Sequence, residues 1–212
     1  DGHGAPAGQE RPRSESVVEI VNDDMPFLLD SVLSELAERG IDVRFVVHPV
    51  FSVERDQAGH LTAFKGIKPA PGALRESVIY IHIERIDDEA RRAEIVEGIE
   101  QVLADVRLCV GDWRTMIARV KETIAELKAN PPPLPAAEID EAVAFLQWLV
   151  DNNFTFLGIR NYEFTDGGDK LEPVFESGLG ILRSRAMGVV QRWNRPLVIT
   201  PEMRALLKAP TA

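Results

Sequence analysis

A single cysteine, Cys109, stands in this 212-residue sequence. An internal disulfide and a cysteine-rich zinc site are therefore excluded, and a reducing cytoplasm is the expected compartment. No apolar run approaches the ~18 residues of a membrane span, and no signal-peptide pattern is present. No membrane partner is expected. Positive charge is in deficit: 24 Lys and Arg stand against 34 Asp and Glu, for a net charge of −10. Such a surface repels a phosphate backbone, so nucleic acid is not an expected partner either. The four histidines do not cluster. His3 lies near the start and His60 at a turn, while His48 and His82 sit in strand-like runs that would let them be neighbours across a sheet. No HExxH spacing exists, and no metal site is expected. "SGLGILRS" carries Gly178 and Gly180, but Arg183 stands where a dinucleotide fingerprint needs its third glycine. Neither a Walker-type loop nor a nucleophile elbow appears. We expect no catalytic, cofactor-binding or metal-ligating residue in this chain.

The remaining composition, 45% hydrophobic and 27% charged, is that of a soluble globular protein with room for one large or two small domains. Residues 1–15, "DGHGAPAGQERPRSE", are Gly-, Pro- and charge-rich and read as a flexible lead-in. "SVVEIVND" is crowded with β-branched residues and reads as a buried strand. A helix follows. Asp24 can accept bonds from its first-turn amides, and Pro26 is tolerated there because its missing N–H has no partner to lose. Leu29, Val32, Leu33 and Leu36 supply one apolar face, and Gly40 the left-handed stop. "DVRFVVHPVFSVERD" and "HLTAFKGI" flank "QAG" as a long hairpin arm, and "ESVIYIHIE" reads as a further strand.

Helical spacing then resumes. Val96, Ile99, Leu103, Val106, Val110, Trp113, Ile117, Val120, Ile124 and Leu127 alternate in steps of three and four. This period of about 3.5 predicts one helix from about Glu89 to Ala129, roughly 60 Å long at 1.5 Å per residue. Ile95, Val102, Cys109 and Met116 widen the stripe, which suits packing against a domain rather than an exposed two-stranded coil. The competing reading makes "DVRLCV" a short strand. Arg107, Arg114, Lys121 and Lys128 recur every seven residues along one edge. Such a row is either solvated or set against an acidic neighbour such as another subunit. "NPPPLP" ends the helix, since successive prolines remove amide donors. We therefore divide the chain into the lead-in, a domain at 16–130, a Pro-rich linker at 131–135 and a second α+β segment at 136–212. That segment holds an amphipathic helix with Ile139, Val143, Leu146 and Val150 on one face, able to fold back over the long helix. A hairpin around "TDGGD", the strand "RPLVIT" and a helix capped by Thr200 with Pro201 in first position complete it. The chain stops at Ala212 just after this helix-like segment and begins at Asp1 without methionine, as a piece of a longer protein would.

Asp23 and Asp24 are the one pair that invites chemistry, because two carboxylates can share a proton or hold a hard cation. Met25, Pro26 and Phe27 offer no further oxygen ligand, and adjacent residues at a strand end point apart. Helix capping is the preferred reading. Residues 23–27 (Asp23, Asp24, Met25, Pro26, Phe27) remain the candidate regulatory loop.

The order strand, helix, hairpin, strand, helix is that of a ferredoxin-like unit. "VEIVNDDMPFLLDSV" resembles the opening of ACT domains, whose loop often reads Asp-x-Pro-Gly-Leu-Leu: Asp24, Pro26, Leu28 and Leu29 match, and Phe27 stands at the glycine. "VNDDMPFLLDSV", "VVHPVFSVERD", "DVRLCVGDWRTM", "FLQWLVDNNFTFLGIRNYEF" and "SGLGILR" together resemble the N-terminal region of the large bacterial NAD-specific glutamate dehydrogenases. The resemblance implies an α+β, ferredoxin/ACT-like sandwich with a long second helix, followed by a second small α+β segment. It implies a parent enzyme that oxidises L-glutamate to 2-oxoglutarate and ammonia with NAD, on a catalytic domain beyond Ala212. This chain would be its non-catalytic assembly and regulatory part, in contact with the remainder of the polypeptide and with other subunits of a homo-oligomer. The alternative is a module sensing an amino-acid effector or other small metabolite. Two departures bear on that alternative. Phe27 would fill the space that glycine leaves for a ligand, and two carboxylates would repel an amino acid's carboxylate. The long helix also leaves no room for the fourth core strand of an ACT unit.

Overall fold

A computed structural model describes residues 15–183 and 195–208. Residues 1–14 of the lead-in, His3 among them, lie outside the described residues; Glu15 already belongs to a strand. The order is β1 (Glu15–Asp23), α1 (Leu28–Glu38), β2 (Val43–Val47), β3 (Val50–Arg55), β4 (Leu61–Gly66), β5 (Leu74–Glu84), α2 (Glu89–Ala129), α3 (Ala136–Trp148), β6 (Gly158–Thr165), β7 (Lys170–Gly180), β8 (Leu197–Val198) and α4 (Pro201–Lys208). The expected α+β class with a long second helix is what the chain adopts. Two compact units divide between Val106 and Arg107, inside α2. The sequence reading places its boundary instead at the Pro-rich 131–135.

In the first unit β5 is the centre of an antiparallel five-stranded sheet. β1 pairs with it from Glu15↔Glu84 to Asp23↔Glu76. On its other side lie β2, opposite residues 80–83, and β3, opposite residues 74–77. The long arm is therefore two strands, parted at His48-Pro49, where proline has no N–H to donate; its carbonyl still accepts from Val78 N–H at 2.9 Å. β4 folds back on β3 around a turn in which Asp56 accepts from the amides of Ala58 and His60. One face of the sheet is core: Ile20, Ile79, Ile81 and Ile83 are buried, along with Leu28, Val32 and Leu36 of α1 and Ile95 and Ile99 of α2. Leu29 and Leu33, expected at the centre of the α1 face, flank it half-buried. α1 stops at Gly40 (φ 69°), with Gly40 N–H donating to Ala37 and Ile41 N–H to Leu36. This is the left-handed exit expected there.

α2 is continuous over its 41 residues, so residues 106–110 are helix and not strand. Its burial departs from the expected seam in an instructive way. Val96 is 52% exposed, whereas Ile95, Ile99, Val106, Met116, Val120 and Ile124 are buried. A 3.5-residue seam read on a 3.6-residue helix drifts by about 20° per heptad. The row Val96, Leu103, Val110, Ile117 and Ile124 passes from exposed at Val96 to buried at Ile124, while Ile99, Val106 and Val120 of the other row are buried. Trp113, expected on the buried face, is only partly buried, as is Ile117; Met116 takes the centre.

The second unit builds its core from Met116, Val120 and Ile124 of α2 with Val150, Phe156 and Leu179. Val143 and Leu146 of α3 pack against it, so α3 does cover the C-terminal half of α2. β6, β7 and β8 form an antiparallel sheet. β7 runs on through Gly178 and Gly180, which the sequence reading left without an element. The Thr200 hydroxyl accepts from Met203 N–H at the start of α4, as expected of a cap.

Candidate functional site

The loop at residues 24–27 leaves β1 and enters α1. It does not do so in the expected manner. Leu28 is the first helical residue, so Pro26 precedes the helix rather than occupying its first turn. Asp24 caps nothing: its amide donates to the Arg75 carbonyl at 2.9 Å, and its carboxylate accepts from the Ser77 hydroxyl at 2.7 Å. Ser77 is fully buried on β5. A hydroxyl there needs a partner, and Asp24 supplies it. The cap position belongs to Phe27, at φ 71° and ψ −2°, whose carbonyl accepts from Ser31 N–H. This left-handed conformation is unfavourable for any side-chain-bearing residue. It gives the physical reason for a glycine at this point of the loop pattern. The Phe27 ring is 46% exposed and stands at the loop surface rather than filling a closed space.

Asp23 and Asp24 diverge. Asp24 turns inward to Ser77, whereas Asp23 lies opposite Glu76 at the end of the β1–β5 ladder. Among the described residues no group of three or more His, Cys, Asp or Glu is placed to hold a metal ion.

The well-formed charged arrangements lie elsewhere in the first unit. Glu76, 7% exposed, receives both Arg55 Nε at 2.5 Å and an Arg55 terminal nitrogen at 2.8 Å. The Arg55 hydrogen bonds hold the Glu76 carboxyl below the usual carboxylate range, against the opposing pull of burial. Glu15 accepts from His82 Nδ1 at 2.7 Å and from Arg44 at 3.3 Å, and these contacts, His82 first, hold its carboxyl low. The His82 ring also meets Phe45 edge-on and Tyr80 at a tilt. It lies opposite Phe45 and Val17 in register, so His48 is not its cross-strand neighbour. Such pairs carry no sequence signature beyond opposite charges in strands, and only the register brings them together.

In the second unit Asp112 of α2 accepts from Gly180 N–H at 2.8 Å and from Arg183 at 2.6 Å. Burial pushes the Asp112 carboxyl up, and the bonds from Arg183 and Gly180 together outweigh it, leaving the carboxyl low. The "SGLG" stretch thus serves packing. A Cβ on Gly178 would stand 2.3 Å from the Leu182 carbonyl oxygen, and one on Gly180 would stand 2.1 Å from that of Leu157. No described helix is long and apolar enough to cross a membrane.

Residues 7–99 match the family described as glutamate dehydrogenase, ACT1 domain. An NAD-specific glutamate dehydrogenase of Halomonas elongata is 39% identical over 171 residues, covering 78% of this chain and 10% of that protein. One of Pseudomonas aeruginosa is 33% identical over 178 residues, covering 82% of this chain and 11% of the relative. One of Mycobacterium tuberculosis is 29% identical over 198 residues, 84% of this chain and 12% of the relative. The chain spans about a tenth of the length of these curated relatives. With its antiparallel sheet, long second helix and matching β1–α1 loop, the chain belongs to the ACT1-containing region of the NAD-specific glutamate dehydrogenase family.

Proposed function

We propose that this chain is the non-catalytic assembly and regulatory segment of an NAD-dependent glutamate dehydrogenase. The parent enzyme would convert L-glutamate and NAD to 2-oxoglutarate, ammonia and NADH, with its catalytic and NAD sites elsewhere in the polypeptide. The observation that carries the reading is the one-sided sheet of the first unit. The face opposite the core holds Val17, Val21, Phe45 and Val47, all exposed by 40–60%. Tyr80 and His82, half-buried, lie between them. Glu19, opposite Tyr80, shares this face, yet so many exposed Val and Phe side chains around it suit packing against a further domain or subunit better than they suit water. In the full-length enzyme, Val21→Glu with Phe45→Glu should disrupt the assembled state in sedimentation. An enzyme that keeps its assembly and activity with both substitutions overturns the assembly role. NADH formation from glutamate by the purified 212-residue chain would overturn the non-catalytic one.

A second reading, amino-acid sensing at residues 23–27, is favoured by one observation. Phe27 is held left-handed and half-exposed at the loop, and strain of this kind collects at ligand clamps and switches. Calorimetry of the chain against the common amino acids is the test, and no heat across the set removes the reading.

A further inference from the structure

The second unit carries two exposed helical faces whose chemistries match. Along α2, Arg107, Arg114, Lys121 and Lys128 recur every seven residues, all exposed. Gly111, Ala118 and Ala125 alternate with them, also exposed, and a Cβ built on Gly111 meets nothing. This side of α2 points away from the sheet of its own unit. Asp112 and Arg119 reach β7, at Gly180 and Ser177. Arg114 and Lys121 each follow by two residues, about 200° round the helix. Among the described residues the side chains of Arg114, Lys121 and Lys128 have no ion-pair or hydrogen-bond partner.

α3 presents the converse. Val143 and Leu146 face the core, and the opposite side shows Glu138, Glu141, Phe145 and Trp148, all exposed. The Phe145 and Trp148 rings are stacked, with centroids 6.3 Å apart and planes 15° from parallel. They are 58% and 50% exposed. Paired, exposed aromatics are the composition of an interface centre, and Glu138 and Glu141, which have no ion-pair partner among the described residues, supply a charged rim beside them.

We propose that this face is a self-association surface, in which the basic-and-small row of α2 in one copy seats against the acidic-and-aromatic row of α3 in another. A two-fold arrangement makes each contact twice, α2 on the partner's α3 and the reverse. Gly111, Ala118 and Ala125 leave room for the rings. The Arg and Lys heads lie over ring faces and pair with Glu138 and Glu141. A second copy is the fitting occupant because both halves of the complementary surface stand in one unit of one chain. Pairing α2 with α2 would oppose four cations, and α3 with α3 would oppose carboxylates. The inference gives the assembly reading above a second, separate surface and rests on that reading. Its test uses the 212-residue chain alone, so its failure is distinct from that of the Val21/Phe45 experiment on the full-length enzyme.

The test is sedimentation velocity of the chain at about 10–100 µM, where an interface of modest size is populated. The first variant combines Arg114→Glu with Lys121→Glu, and the second combines Glu138→Lys with Glu141→Lys. All four residues are exposed, and circular dichroism checks that each variant keeps its fold. The parent chain should dimerise. Each variant alone should dimerise at least about tenfold more weakly, because it sets like charges against each other. An equimolar mixture of the two should restore the dimer, since both contacts in the mixed pair regain opposite signs. A monomeric parent chain, a dimer untouched by both variants, or a mixture that stays monomeric would each overturn the proposal.

Discussion

The fully buried Ser77 hydroxyl donates to the Asp24 carboxylate at 2.7 Å. This bond braces the exit of β1 against the central strand β5 and keeps Asp24 from capping α1. We expect Asp24→Ala to lower stability by about 1–3 kcal/mol, because it strands a buried hydroxyl. Asp24→Asn keeps an acceptor and should lose less. Neither change should alter the helical circular dichroism signal. Denaturant titration with that signal as probe decides: loss of helix in the alanine variant would return Asp24 to the cap.

The α1 face is centred on Leu28, Val32 and Leu36, exposed by 1%, 0% and 0%. Leu36→Ala should therefore cost about 2–5 kcal/mol, as a deletion in a closed core does. The half-buried Leu33, changed to alanine, should cost less than half of that. Equal losses at the two positions would mean that the helix is rotated from the face described.

Glu76 of β5 and Arg55 of β3 make a bidentate pair between neighbouring strands. Because the Arg55 bonds hold the Glu76 pKa below its ordinary value, the pair's stabilisation is fully present above the unfolded pKa, about 4.3. It is lost as the pH falls through the folded value. Glu15, held low by His82 and Arg44, titrates in the same direction. Melting temperature should fall on acidification below about pH 4.3, and Glu76→Gln should flatten that fall while lowering the melting temperature at neutral pH. An unchanged acid limb in the variant would show that the pair contributes nothing.

Much of this fold was legible in the sequence because its signals are periodic or local. The left-handed stop at Gly40, the turn at residues 56–60, the continuous α2 and the Thr200 cap all follow from short patterns. What was not legible depends on register. Nothing near Asp24 in the sequence announces Ser77, 53 residues away. The Arg55–Glu76 and Glu15–His82 pairs likewise exist only because β5 is shared by three neighbours. That a loop joins β1 to α1 at residues 24–27 was legible, but the hydrogen bonds inside it were not. Phe27, not Asp24, holds the cap position of α1, and a phenylalanine in the left-handed region is a choice that propensity alone would not make.

The glycines of the second unit separate two physical roles. Gly111 lies inside α2 with open space where a Cβ would go. Gly111→Ala should therefore stabilise by about 0.4–1 kcal/mol, through helix propensity and a less flexible unfolded chain. Gly180 has φ 59°, and a Cβ there would meet the Leu157 backbone oxygen at 2.1 Å. Backbone cannot swing aside as a side-chain tip can, and β6 lies directly against it, with Gly158 opposite in register. Gly180→Ala should destabilise the second unit by at least about 1–3 kcal/mol, from the left-handed strain alone. Trp113 and Trp148 lie among the described residues of this unit, so tryptophan fluorescence follows its unfolding. Urea titration by fluorescence should move to higher midpoint for Gly111→Ala and to lower midpoint for Gly180→Ala. If Gly180→Ala leaves the midpoint in place, β7 does not approach residue 157 as closely as the structure has it.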